Sequence, residues 1–403
     1  MKLSLEKINK SLLFLALFSL IYRNGSFTHS FPNPFEIIFV FLCLFTFVYL
    51  IKNNKIKEFF LSIPKNILIA ISCLIFSVVL GWIVAVFLKD IPFTRNNVLE
   101  FGGFIIGLGI FFLISFYTQN DEKYYKKYLY ALLLPTFYAI FILFPDLAYY
   151  FHLQNDGTFL GLTSNPSIIS KILLIPAMFF IVYALFESKS KWRKIGYVIV
   201  SSAIVVLLFW ISARAALVSV ILASILVWLI FSLHSFNWKK LFYSGLIVFV
   251  IFLTGFAFTP YNNQYNLTNT LIIQKNNQIF LNNFSNESRL QFWPLFLHET
   301  IRNPLGFGPN THMNIPYKYG NHVIGPHNTF INIWLWGGLL GILSFLYILF
   351  FTFNNLKIKL KSNFNSTTLA LIGILCALSF SIFFDDSLQF YWFWIILALS
   401  LRL

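Results

Sequence analysis

The sequence predicts an all-α polytopic membrane protein, with about twelve transmembrane helices and one large periplasmic loop containing short helices. Three observations carry that expectation. Hydrophobic residues make up 58% of the 403 residues and charged residues only 11%, where a soluble domain carries about 25%. Mean hydropathy is +0.75. The apolar residues also gather into runs of about 20, the length a helix needs to cross a bilayer.

In chain order the expected spans are 11–22, 35–51, 66–88, 98–117, 128–148, 167–186, 195–212, 215–233, 241–258, 329–353, 367–384 and 390–403. The first is short and follows Lys2, Lys7 and Lys10. That is signal-peptide-like, but no small-residue cleavage site follows, so it reads as a retained helix. Residues 1–403 therefore form a single membrane domain, and 259–328 form a large periplasmic loop inserted between the ninth and tenth transmembrane helices. The loop is rich in Asn and Tyr and contains "ESRLQFWPLFLHETIRNPLGFG". In that stretch Ser288 is a candidate cap, Leu290, Trp293 and Leu297 fall at helical spacing, and Pro294 predicts a kink. "NPLGFGPN" then ends the helix with turn residues. An amphipathic segment here lies on the membrane surface or lids a cavity.

The net charge of +15 is a topology signal. With the N-terminus inside, twenty lysines and arginines fall on the inner side, in clusters such as Lys52–Lys65, Lys123–Lys127, Lys189–Lys194 and Lys357–Lys361. Eight fall outside: Arg23, Lys89, Arg95, Arg214, Lys275, Arg289, Arg302 and Lys318. Basic residues collect in cytoplasmic loops, so both termini are expected in the cytoplasm, and the charge is no nucleic-acid surface. The 51 phenylalanines fit an AT-rich genome and carry no function. Cys43, Cys73 and Cys376 all lie in spans and form no metal pair or disulfide framework.

The polar residues that the membrane should discourage gather on the outer side. Arg214, in "FWISARAALVSV", sits at a tight outer turn between two spans. It is either a snorkelling turn arginine or one facing an anion in a polar cavity, and the absence of a nearby countercharge in sequence favours the second. Arg289 opens the amphipathic loop segment and, read alone, is a solvated surface charge. Lys171, in "SNPSIISKILLIP", reads as an interfacial lysine reaching for headgroups. His312, His322 and His327 match no zinc spacing, so no metal is expected. His327 differs from the other two in its setting. Pro326 fixes its entry, and the apolar run after Asn328 shelters it at the membrane's edge, where an imidazole is suited to taking a proton from a hydroxyl. Read alone, an interfacial histidine is more often structural. The chain has no Asp-x-Asp pattern, no P-loop and no Gly-rich dinucleotide turn. A sugar donor would therefore not be a cytosolic nucleotide sugar, and a lipid-borne, phosphate-activated donor at the outer face would fit the two arginines and the histidine.

"SARAALVSV", "ESRLQFWPLFLHETIRNPLGFGPN" and "GPHNTFINIWLWGGLLGI", in this order and on the expected side, resemble the bacterial O-antigen ligase and O-antigen polymerase superfamily. "GLTSNPSIISK" is similar to that family's Gly-x-x-x-Asn-Pro segment. These motifs cover about a quarter of the chain. The resemblance implies a metal-independent, inverting glycosyltransferase of the bacterial inner membrane that needs no cofactor. The active site would face the periplasm. The donor would be an undecaprenyl-pyrophosphate-linked glycan, and the ligase's acceptor a sugar hydroxyl of the lipid A core in lipopolysaccharide biosynthesis. By carry-over Arg214 and Arg289 hold the pyrophosphate and His327 is the base, with Asn328, His322 and Lys171 as secondary candidates.

An O-antigen polymerase and a protein O-oligosaccharyltransferase share the donor and are separated only by the acceptor. A non-catalytic lipid-glycan transporter is the reading from another class. It would place polar outliers near the midplane of pseudo-symmetric halves, whereas here they gather at the outer end.

Overall fold

In hydrocarbon a chain must satisfy its backbone hydrogen bonds within the segment, so apolar runs become helices. The computed structural model describes residues 4–23, 34–91, 94–119, 121–134, 166–186, 190–210, 214–235, 238–258, 273–275, 278–280, 288–309, 318–319, 322–323, 326–384 and 391–402. In chain order its helices are α1 (Leu5–Arg23), α2 (Pro34–Lys52), α3 (Ile56–Leu61), α4 (Lys65–Leu88), α5 (Arg95–Thr118), α6 (Glu122–Ala131) and α7 (Pro166–Phe186). There follow α8 (Lys191–Trp210), α9 (Arg214–Ser235), α10 (Trp238–Ala257), α11 (Ser288–Arg302), α12 (Thr329–Ser362), α13 (Ser366–Phe383) and α14 (Tyr391–Arg402). Among the described residues eight helices are long and apolar enough to cross a membrane, namely α2, α4, α5, α7, α8, α9, α12 and α13. The 24 residues of α4 rise about 36 Å at 1.5 Å each, more than the ~30 Å hydrocarbon core. Side chains such as Phe47, Phe76, Ile199, Phe249 and Phe350 are exposed around the bundle, as a surface bathed in lipid requires.

Side-chain contacts place two sets of helix ends at opposite poles. At one pole Tyr49 of α2 donates to Glu6 of α1 (2.9 Å) and Lys10 of α1 pairs with Asp121, the cap of α6 (2.9 Å). Thr46 and Tyr117 share a hydrogen bond between the ends of α2 and α5. Tyr183 of α7 meets Thr367 of α13, and Asn355 of α12 donates weakly to the last carbonyls of α14. This is the lysine-rich pole. At the other, the end of α4, the start of α5, the start of α12 and the end of α13 surround the segment after α11. This is the loop pole.

Aromatic and small residues alternate where the helices cross. On α12, Gly337 and Gly341 take Ser77 of α4 against bare backbone, the close approach small residues permit between membrane helices. Trp394 of α14 fills the notch at Gly107 of α5 and packs edge-on against Phe104 and Phe111. Gly373 of α13 receives Met178 of α7 and Val227 of α9.

Several expectations need adjusting. The expected fifth span, 128–148, falls mostly outside the described residues, and only the amphipathic α6 overlaps its start. The last span, 390–403, is a 12-residue helix of about 18 Å. The tenth is longer than its apolar run, reaching Ser362 and breaking at Gly338. The loop was expected to hold short helices. Its described residues form one helix, α11, and two small antiparallel hairpins, β1 (Ile273–Lys275) with β2 (Gln278–Phe280) and β3 (Lys318–Tyr319) with β4 (His322–Val323). Ser288, expected as a cap, is already the first residue of α11, which runs through Pro294 to Arg302.

Candidate active site

The loop pole is built by backbone meeting backbone. After α11 ends, Pro304–Gly308 runs alongside a break in α12. Phe307 and Gly308 donate to the carbonyls of Leu335 and Trp336 (2.7 and 2.9 Å), and Leu339 donates back to Pro304 (2.8 Å). The break lies at Gly338, whose φ of 62° no ordinary residue adopts cheaply. Irregular backbone at this depth is tolerated only when protein groups satisfy it, and here the loop does so. A side chain on Gly338 would meet the Pro304 carbonyl, and one on Gly81 of α4 the Trp336 carbonyl. Two side chains pin the same segment from outside. Asn97 of α5 donates to the Pro309 carbonyl (2.5 Å), and Lys89, just past α4, donates to Asn303 and lies over the Phe307 ring (3.9 Å). Burial pulls the Lys89 ammonium below its ordinary value, while Glu299 acts in the opposite sense.

This seam holds α11 against the start of α12. The buried face of α11 carries Phe296 and Thr300 with the half-buried Trp293 and Leu297, close to the expected stripe. The Trp293 indole donates to the Pro326 carbonyl (2.9 Å), and its ring packs edge-on against Phe383 of α13 (5.3 Å). The next residue, His327, is half-buried and left-handed, with φ of 44°. Asn328 then caps α12, its side-chain oxygen accepting from Phe330 and Ile331 (2.9 and 3.1 Å). The cap is 2% exposed.

Arg289 lies in the first turn of α11, one helical turn before Trp293, a rise of about 6 Å. Arg214 reaches the same pole by a different route. α9 runs antiparallel to α13, because His234 stacks on Phe364 (3.6 Å) while Val227 meets Gly373. Continuing that register, Arg214 at the start of α9 lies level with the end of α13, where Phe383 touches Trp293. Arg214, Arg289 and Asn328 all lie in the first turn or at the cap of a helix. Unpaired N–H groups and the macrodipole favour an anion at each such terminus. His322 lies in β4, opposite Tyr319. His312 falls outside the described residues.

The expectation for Lys171 requires correction. It is 4% exposed and does not reach for headgroups, because α7 is enclosed by α8, α9 and α13. α7 runs parallel to α9, with Met178 beside Ser224 and Phe186 beside Phe231. That register sets Lys171 level with Leu217, within a turn of Arg214. Sequence reading missed Trp293, Asn97 and the glycine seam as site-forming residues. The clustered glycines of "NPLGFGPN" and "WGGLLG" were the available signal.

Residues 197–346, from within α8 to within α12, match the family model described as O-Antigen ligase. No curated protein matches the chain. The family match supports the O-antigen ligase superfamily that the three motifs resemble. It covers the stretch containing Arg214, Arg289 and His327.

Proposed function

Starting from the O-antigen ligase match over its central stretch, we propose that the chain transfers an undecaprenyl-pyrophosphate-linked glycan to a sugar hydroxyl of the lipid A core. One observation supports this most. Three helices begin at or beside Arg214, Arg289 and His327, and the packing carries all three toward the loop pole. Superfamily chemistry in general is glycosyl transfer from lipid-linked glycans within a membrane, which a multi-pass bundle with polar groups at one end suits.

In the proposed reaction the acceptor oxygen attacks the anomeric carbon from the face opposite the pyrophosphate, so configuration inverts. The new C–O bond forms as the bond from anomeric carbon to phosphate oxygen breaks, and the lipid pyrophosphate departs with the electron pair. His327 takes the acceptor's proton, a contribution typically worth about 10²–10⁴-fold. Arg214 and Arg289 receive the negative charge that builds on the leaving group. Removing one preorganised donor of this kind costs about 2.7–4 kcal/mol elsewhere. A guanidinium can grip two phosphate oxygens at once, whereas an ammonium acts as a point charge. The edge of the membrane is where both lipid substrates present their reacting atoms, which accounts for a histidine placed there. The site is read as facing the periplasm of the inner membrane.

The test is transfer in vitro with purified protein, lipid-linked donor and defined acceptors. Product on lipid A core is expected from the natural chain. Arg214→Lys should lose as much activity as Arg214→Ala, and near-normal transfer by the lysine variant would remove Arg214 from the pyrophosphate role. Product only on a second donor glycan would identify a polymerase, and product only on protein an oligosaccharyltransferase. Lipid movement without any new glycosidic bond would identify a transporter. In cells, long lipid-linked chains with bare core on deletion mark the ligase, whereas core carrying a single repeat marks the polymerase.

A further inference from the structure

At the lysine-rich pole, away from the candidate active site, a cleft of about 370 Å³ opens between α6 and the ends of α13 and α14. Its chemistry is unbalanced. Arg402, the last residue of α14, reaches it half-buried and makes no hydrogen bond or ion pair among the described residues. On the facing wall Tyr125 of α6 is 6% exposed, and its hydroxyl has no hydrogen-bond partner among the described residues. The two are close enough for the Arg402 charge to act on that hydroxyl. A buried hydroxyl without an acceptor costs about 1–3 kcal/mol, so this pair of donors is built to meet something.

Among the described residues the other charges nearby do not supply the acceptor. Glu122, at the rim, is engaged by Lys126 at 2.7 Å. Asp121 attracts Arg402 only at a distance, being bound to Lys10. Lys359 of α12 adds a second positive charge that repels Arg402. Asn365 and Thr367 are already used, one capping α13 and the other meeting Tyr183. What fits between Arg402 and Tyr125 is an anion with several acceptor oxygens, and phosphate is the natural one. Leu129 and Tyr130 of α6 complete the lining, and Tyr130 is exposed. They offer apolar surface beside the phosphate position, as a lipid-attached phosphate requires and a free one does not.

We propose that this cleft binds the phosphate headgroup of an anionic phospholipid, with Arg402 and Tyr125 donating to the phosphate oxygens and Lys126 at the rim. The proposal is independent of the transfer reaction. Intact protein in mild detergent, titrated with phosphatidylglycerol or phosphatidylcholine and read by native mass spectrometry, tests it. Phosphatidylglycerol should bind about tenfold more tightly, because a choline headgroup brings a cation to a site that already repels cations. Arg402→Gln should weaken phosphatidylglycerol about tenfold and Tyr125→Phe about threefold. Both variants should melt as the natural protein does when lipid is absent. Equal binding of the two lipids, or unchanged phosphatidylglycerol affinity in Arg402→Gln, would overturn the proposal. Displacement of the lipid by millimolar inorganic phosphate would also overturn it, assigning the cleft to a soluble anion.

Discussion

His327 occupies a left-handed backbone conformation that costs a non-glycine residue about 1–2 kcal/mol, and strain of this kind persists where the surroundings impose it. Here they do so from both sides, since Trp293 holds the Pro326 carbonyl and Asn328 must be extended to cap α12. Backbone and ring can therefore be separated by mutation. Asparagine tolerates this conformation but cannot accept a proton at neutral pH. His327→Asn should melt at the natural temperature yet lose transfer by about 10²-fold or more. Retained activity would end the assignment of a base at this position. His327→Val should instead lose stability, because a β-branched residue fits the left-handed region poorly. Asn328 behaves differently, because its side chain is spent on the cap. Asn328→Ala should lower stability by about 0.5–2 kcal/mol, and Asn328→Asp should restore it. Activity in both should follow the folded fraction, measured by thermal melting alongside transfer. The sequence places both residues at the brink of a span, but the positive φ at His327 follows a contact between Trp293 and Pro326, 33 residues apart, and leaves no local trace.

At the scale of the element, hydropathy locates the helices well because each span satisfies its own backbone. It cannot locate the break in α12. That break depends on donors and acceptors from Pro304–Gly308, about a turn of loop that hydropathy reads only as polar. The same limit explains Lys171, whose burial follows from the neighbours of α7 and not from its own run. Gly338→Ala should therefore be far costlier than an ordinary helical substitution. It forces a side chain into a positive-φ, extended backbone region that is essentially confined to glycine, a strain of about 1–3 kcal/mol, and drives a methyl into the Pro304 carbonyl. The expected result is a marked fall in melting temperature together with loss of transfer, because the seam positions α11. Gly102→Ala in α5, where a methyl meets nothing, should leave both unchanged. An unaffected Gly338→Ala protein would mean that the seam does not hold the loop pole together.

For the whole molecule, the packing settles that the candidate residues and the lysine clusters occupy opposite poles, while the side of the membrane each faces rests on charge. Twenty basic residues against eight is the bias that keeps lysine-rich loops in the cytoplasm during insertion. The bias itself is legible from sequence because it belongs to each short loop and needs no tertiary contact, and the orientation it implies is an expectation to be tested. The consequence can be read directly on the membrane. With Cys43, Cys73 and Cys376 replaced by alanine, a single cysteine is placed at Arg302, Lys57 or Lys361, each an exposed position. In spheroplasts a membrane-impermeant maleimide should label Arg302→Cys at once, and label Lys57→Cys and Lys361→Cys only after the membrane is opened. Arg302 ends the helix that carries Arg289 and Trp293, so its labelling reports the side on which the candidate site stands. The reverse pattern would place Arg214, Arg289 and His327 in the cytoplasm, leaving the acceptor on the wrong side of the bilayer. No rearrangement of the three residues within their pole could restore the reaction.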